Sequence, residues 1–273
     1  MRLSATHAAI RYAFLAIVSL LTIVPLVVVG LTAFNAPGTP IAGVELPKHF
    51  TFAAFGSAWN AGDFASAFTS GGLVTIAVVI IVTAGSISAG YAFGTMRFRG
   101  SRLLFYVFLA GIIVPYVVLV VPIYLEFQAF NLLGTFWGLI LPESGLYLAF
   151  GVFWMEAFFA SLPKSLIEAA RIDGASSFRI LAQILLPLGR PAVTTLVLLT
   201  FLSSWNEYLV PLVMGGGGGI QTVSLGLASF QGQHLTDVPS LAAASIIVAG
   251  PAILVYVLTQ RSFFSGLLQG AVK

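Results

Sequence analysis

The chain has no cysteine, and its three histidines, His7, His49 and His234, lie in separate segments. That excludes a disulfide framework and thiolate metal sites and leaves no spacing for a metal centre. Charge is scarce too: 8% of the 273 residues are Asp, Glu, Lys or Arg, against 59% apolar residues. With a mean hydropathy of +1.03 the sequence is too apolar for a soluble domain and belongs in a bilayer. The formal charge of +3 therefore calls for no nucleic acid. A phosphate-binding loop needs Gly-Lys-Ser or Gly-Lys-Thr, yet Lys48 and Lys164 each follow proline and Lys273 follows Val272. This chain is not expected to hydrolyse ATP, and no catalytic residue or cofactor is expected in it, since its His, Asp and Ser positions show no nucleophile spacing.

What remains is a series of apolar runs long enough to cross a hydrocarbon core. The pattern predicts an all-α, polytopic protein of one transmembrane domain, residues 1–273, with six spans near residues 12–34, 71–95, 103–125, 135–159, 192–214 and 241–259. The first run is longer than the core of a cleavable signal peptide and reads as a retained anchor. In the fourth, Glu143 and Glu156 are costly in a bilayer, so both should lie near the interfaces or face protein. Eleven of the twelve basic residues fall on one side of this arrangement: Arg2, Arg11, Arg97, Arg99, Arg102, Lys164, Arg171, Arg179, Arg190, Arg261 and Lys273. Only Lys48 falls on the other, so the positive-inside rule places both termini in the cytoplasm.

Between the spans, residues 35–70 carry Phe50, Phe52, Phe55 and Trp59, which suit an interfacial aromatic cover. Gly85, Gly90 and Gly94, with Ser86 and Ser88, would let helices approach closely. Pro115 and Pro122 can kink the third span, either to serve a gate or to shape the bundle. Gly215, Gly216, Gly217, Gly218 and Gly219 form a run with no preferred backbone, expected to act as a hinge at the external end of the fifth span. Trp205, Asn206, Glu207 and Tyr208 sit about 20 Å along that span at 1.5 Å per residue. Such polar groups either line a translocation path, where Asn206 and Trp205 could hydrogen-bond to and stack on a cargo, or form an interhelical hydrogen bond that fixes the bundle.

The one charged, amphipathic island is residues 162–191. Pro163 suits a first helical turn, Leu166, Ala169 and Ala170 recur at helical spacing, and Gly174 offers a left-handed exit. Ser176 or Ser177 can cap a second helix with Phe178, Leu181, Ile184 and Leu185 on one face, and Pro187 and Pro191 disturb or end it. Glu168-Ala169-Ala170, then Gly174, then Ile184 and Leu186-Pro187 complete a spaced pattern that resembles the signature loop of the membrane subunits of binding-protein-dependent importers of the ATP-binding cassette class. The likeness extends to Trp205-Asn206-Glu207-Tyr208, Asp173-Gly174-Ala175 and the tail from Gln260, which are similar to the carbohydrate-type permeases of that class. Gly71-Gly72 departs from the Asn-Ser usual there.

This resemblance implies a cytoplasmic coupling helix, residues 162–191, whose Glu168, Ala169, Ala170, Asp173, Gly174, Ile184, Leu186 and Pro187 meet an ATPase subunit. It further implies a bacterial or archaeal plasma membrane, a second homologous permease subunit, two ATPase subunits that bind ATP and Mg, and an external, periplasmic solute-binding protein. The cargo would be a sugar, an oligosaccharide, or a polyol or glycerol phosphate. The loop from Gly215 to Gly219 would either contact the binding protein or be a solvated connection between the fifth and sixth spans. A self-contained secondary transporter or channel is the rival reading, for which midplane acids or inverted repeats are expected; Glu207 is the one candidate acid.

Overall fold

The computed structural model describes residues 5–41, 43, 46–215, 219–230 and 237–271. Helices run in the order α1 Ala5–Ala33, α2 Ala53–Ala61, α3 Phe64–Thr95, α4 Ser101–Ile113, α5 Tyr116–Ala129, α6 Phe136–Ser161 and α7 Lys164–Ile172. After them come α8 Ser177–Arg179, a π-helical stretch Ile180–Leu185, α9 Leu186–Leu188, α10 Arg190–Trp205, α11 Leu209–Met214, α12 Val223–Ala228 and α13 Val238–Ala271. No strand occurs among the described residues.

Four helices are long and apolar enough to cross a membrane: Ile10–Ala33, Phe64–Thr95, Phe136–Ser161 and Val238–Arg261. Two bent pairs bring the number to six if each is one span, Ser101–Ile113 with Tyr116–Ala129 at 101° and Ser177–Leu188 with Arg190–Trp205 at 81°. The third expected span is therefore two helices, not one kinked helix. Pro115 donates no hydrogen bond to the preceding turn, and Val114, held extended ahead of a proline, ends α4. Pro122 stays inside α5 without such a break. The fifth expected span also divides, because α10 stops at Trp205 and α11 restarts at Leu209. Pro211 lies four residues after Glu207, the spacing at which a proline ring clashes with a helical carbonyl.

The chain forms two compact units, Met1–Ala65 with Gly226–Gly250, and Ser66–Leu225 with Pro251–Lys273. In the first, α1 presents apolar side chains outward along its length, as a lipid-facing helix does. At its end Phe34 packs against Phe50, Phe52 and Phe55, while Trp59 lies beside Phe64, giving the expected aromatic cluster a centre in Phe34. Asp237, just ahead of α13, accepts hydrogen bonds from the Gly38 and Ser240 amides and the Ser240 hydroxyl. Burial pushes this carboxyl up, but the hydrogen bonds outweigh it and hold Asp237 below the usual carboxylate range.

The second unit is built on α6, whose one face is buried from Gly138 to Phe159. The glycine stripe of α3 allows that contact. A Cβ on Gly85 would stand 2.8 Å from Leu148 Cδ1, one on Gly90 2.6 Å from Met155 Cβ, and one on Gly94 3.0 Å from the Glu156 carbonyl oxygen. Close backbone approach substitutes here for the hydrophobic driving force that water would supply. Thr135 starts α6 by accepting a hydrogen bond from the Gly138 amide at 3.1 Å. Thr135→Ala is expected to cost about 1 kcal/mol, the usual worth of such a cap, read as a lowered melting temperature of the detergent-solubilised protein.

Candidate functional site

Two groups of residues carry the functional argument, and both lie in the second unit. The first is the helix-turn-helix after α6. Leu162 ends α6 in an extended conformation, Pro163 opens α7, and the Asp173 and Gly174 amides close the α7 terminus on Ala169, Arg171 and neighbouring carbonyls. Gly174 has φ +77°, the left-handed exit expected of it. Ser176 caps the next helix through a hydrogen bond from the Arg179 amide.

The buried face differs from the expected one in a regular way. In α7 the buried residues are Ile167 and Ala170, with Leu166 half-buried and Ala169 exposed. In the second helix a π-helical turn replaces the α register, and Ile180 and Leu185, five residues apart, are both buried. Pro187 has no amide hydrogen to offer the turn before it, which favours the looser turn. Phe178, expected on the inner face, is 78% exposed instead, and Ile172 is 86% exposed. These two apolar side chains flank the Gly174 turn on the outside. Glu168, Asp173 and Pro187 are also exposed, while Ile184 and Leu186 are half-buried.

Inward, the same loop is continuous with the membrane helices. Ile167, Ala170, Ile180 and Leu185 form one apolar cluster with Tyr91 of α3, Met155 and Phe159 of α6, and Leu196 of α10. Gly189, at the bend into α10, is buried against Phe158, and a Cβ there would stand 2.6 Å from that ring. A push on α7 therefore meets close-packed side chains, which transmit displacement and do not absorb it.

The second group is the break between α10 and α11. Trp205 is buried, stacked on Phe201 at 5.7 Å and edge-on to Phe68 at 5.5 Å. Glu207 accepts hydrogen bonds from the Leu209 and Val210 amides and from the Tyr147 hydroxyl at 3.0 Å. Through these bonds it holds the first two amides of α11 and ties the break to α6. Asn206 and Tyr208 keep exposed side chains. Glu143 faces protein, as its cost in a bilayer requires: it is 1% exposed and takes a 2.6 Å hydrogen bond from Ser204.

The glycine run is only partly described. Gly215 ends α11 and Gly219 lies against Gly134, whose amide bonds the Met214 carbonyl, so both ends of the run are seated on the α5–α6 connection. Gly216, Gly217 and Gly218, like Gln231, Gln233 and His234, lie outside the described residues. Among the described residues no cluster of metal-ligating side chains occurs.

Residues 81–263 match the model of the family described as binding-protein-dependent transport system inner membrane component. The chain is 32% identical over 269 residues to the diacetylchitobiose uptake system permease protein NgcG of Streptomyces coelicolor, covering 97% of this chain and 89% of that one. It is 35% identical over 205 residues to the trehalose/maltose transport system permease protein MalG of Thermococcus litoralis, 73% of each. In fold it is similar to a chain of a bacterial ABC transporter that imports the acidic polysaccharide alginate, with a TM-score of 0.83, 21% identity, and coverage of 96% of this chain and 98% of that one. The matched stretch takes in the π-turned loop, the glycine-bearing second half of α3 with α6, and the break after α10, so the chain belongs to the inner-membrane permease family of binding-protein-dependent transport systems.

Proposed function

We propose that this permease passes a carbohydrate, a sugar, oligosaccharide, polyol or glycerol phosphate, handed over by an external solute-binding protein. The reading is supported by relatives named for diacetylchitobiose, arabinooligosaccharides and trehalose/maltose. A second permease subunit completes the path, and two ATPase subunits bind the ATP and Mg. Six spans, the fifth being α10 with α11 and not the bent pair that begins at Ser177, with both ends and residues 162–191 in the cytoplasm, suit the one-sided basic residues.

The observation that carries the proposal is the two-sided character of the loop: Ile172 and Phe178 exposed on its outside, and Ile167, Ala170, Ile180 and Leu185 locked to three long helices on its inside. Apolar side chains standing free beside a sharp turn suit a protein partner. ATP-driven closure of the ATPases would move α7 to Gly189 as a rigid body and carry α6 and α10 with it. Asn206 and Tyr208 serve as path-lining groups, and the run from Gly215 to Gly219 is the candidate contact with the binding protein. A cytoplasm-only reporter tests the arrangement: it should be active when fused after Arg99 or Gly174 and inactive after Lys48. Activity after Lys48 would overturn the six-span topology.

A further inference from the structure

Tyr147 and Glu143 stand one turn apart on α6, and neither belongs to the segment that the sequence marks as a path. Four residues of spacing puts both on one face. Glu143 holds Ser204, on the last turn of α10, at 2.6 Å, and Ser204 lies 3.4 Å from the Thr75 hydroxyl of α3. Tyr147 holds Glu207, in the break itself, at 3.0 Å. Glu143, Ser204 and Thr75 are all buried. The same helix face thus grips the chain immediately before and immediately within the point where α10 gives way to α11. Between the two grips lie Trp205, seated on Phe68 and Phe201, and Asn206, whose Nδ2 bonds the Leu202 carbonyl at 2.7 Å and whose side chain is otherwise outward.

We infer that Tyr147 and Glu143 are positioning residues for transport: they fix the α10–α11 break so that Asn206 and Tyr208 are presented to the passing carbohydrate. This rests on the reading of Asn206 and Tyr208 as part of the path. A helix break left to itself would have a choice of geometries, because Pro211 removes one backbone bond without specifying what replaces it. Glu207 specifies it by satisfying the first amides of α11, and Tyr147 specifies where Glu207 goes.

The absence of native cysteine makes the test direct. Tyr208→Cys is introduced into the chain within its assembled transporter and labelled with a membrane-impermeant methanethiosulfonate, with and without ATP and vanadate. Ser161→Cys, at the far end of α6, serves as the reference. Tyr147→Phe should change the Tyr208→Cys labelling rate about fivefold, the population shift that one net hydrogen bond carries. Assembly, basal ATP hydrolysis and the reference rate should stay as they were. Ser204→Ala should move the rate in the same direction, and Glu207→Gln, whose carbonyl oxygen still accepts from the α11 amides while its NH2 donates to the Tyr147 oxygen, should leave it closer to the parent value than Tyr147→Phe does. An unchanged rate in both Tyr147→Phe and Ser204→Ala overturns the positioning role. A Tyr208→Cys chain that the reagent reaches in neither state overturns the path reading itself, and with it the inference. If Tyr147→Phe does not assemble, Ser204→Ala decides alone.

Discussion

Gly174→Val is expected to abolish the ATP hydrolysis that a loaded binding protein stimulates, while the chain still inserts and assembles. Gly174 has φ +77°, and a Cβ added to it meets nothing within 4 Å. The variant therefore suffers no steric neighbour, only the backbone itself. A β-branched residue in the left-handed region costs about 1–3 kcal/mol, and relief comes by re-forming the turn. That moves the Ala175 amide off the Ala170 carbonyl and the Ser176 cap off Arg179, so Ile172 and Phe178 lose their common orientation. Gly174→Asn, which tolerates positive φ, should retain most of the stimulation. Glu168→Lys reverses a charge on the exposed side of α7 and should likewise uncouple without unfolding. Normal stimulation in Gly174→Val and Glu168→Lys would leave the loop as a helix pair resting on the membrane surface.

Gly90→Leu is expected to prevent the protein from accumulating. The new side chain would begin 2.6 Å from Met155 Cβ and 2.9 Å from the Glu156 amide nitrogen. The second is backbone, so no rotamer change on α6 makes room. Overpacking typically costs about 1–3 kcal/mol where neighbours can shift; between two membrane helices held by close approach, the contact itself is lost. Gly72→Leu, on the same helix with nothing within 4 Å, should be tolerated. The measurement is the amount of folded protein recovered from membranes for the two variants. Equal recovery would mean that α3 and α6 do not pack as described.

Local signals were legible in the sequence, and tertiary ones were not. The Gly174 exit, the Ser176 cap and the glycine stripe of α3 were readable because each depends on a few neighbouring residues. The inner face of the second loop helix was not, since a 3.6-residue period cannot anticipate a π turn that brings Ile180 and Leu185 together and turns Phe178 out. The break after α10 had a signal in Pro211, four residues past Glu207, but a run of apolar residues on both sides read as one span. The burial of Trp205 was not legible either, since it depends on Phe68, far away in sequence. Tyr147 and Ile172 carried no motif, and only their contacts and exposure single them out.

The central claim is that the Gly174 turn meets an ATPase subunit in the cytoplasm. Phe178→Cys, in this cysteine-free chain, can carry a short photoactivatable cross-linker in intact membranes containing the whole transporter. The account predicts a cross-linked product between this chain and the ATPase subunit, weakened when ATP and vanadate are replaced by buffer alone or when Gly174→Val is added. Cross-linking only to lipid, or modification of Phe178→Cys from the outside of intact cells, would contradict it.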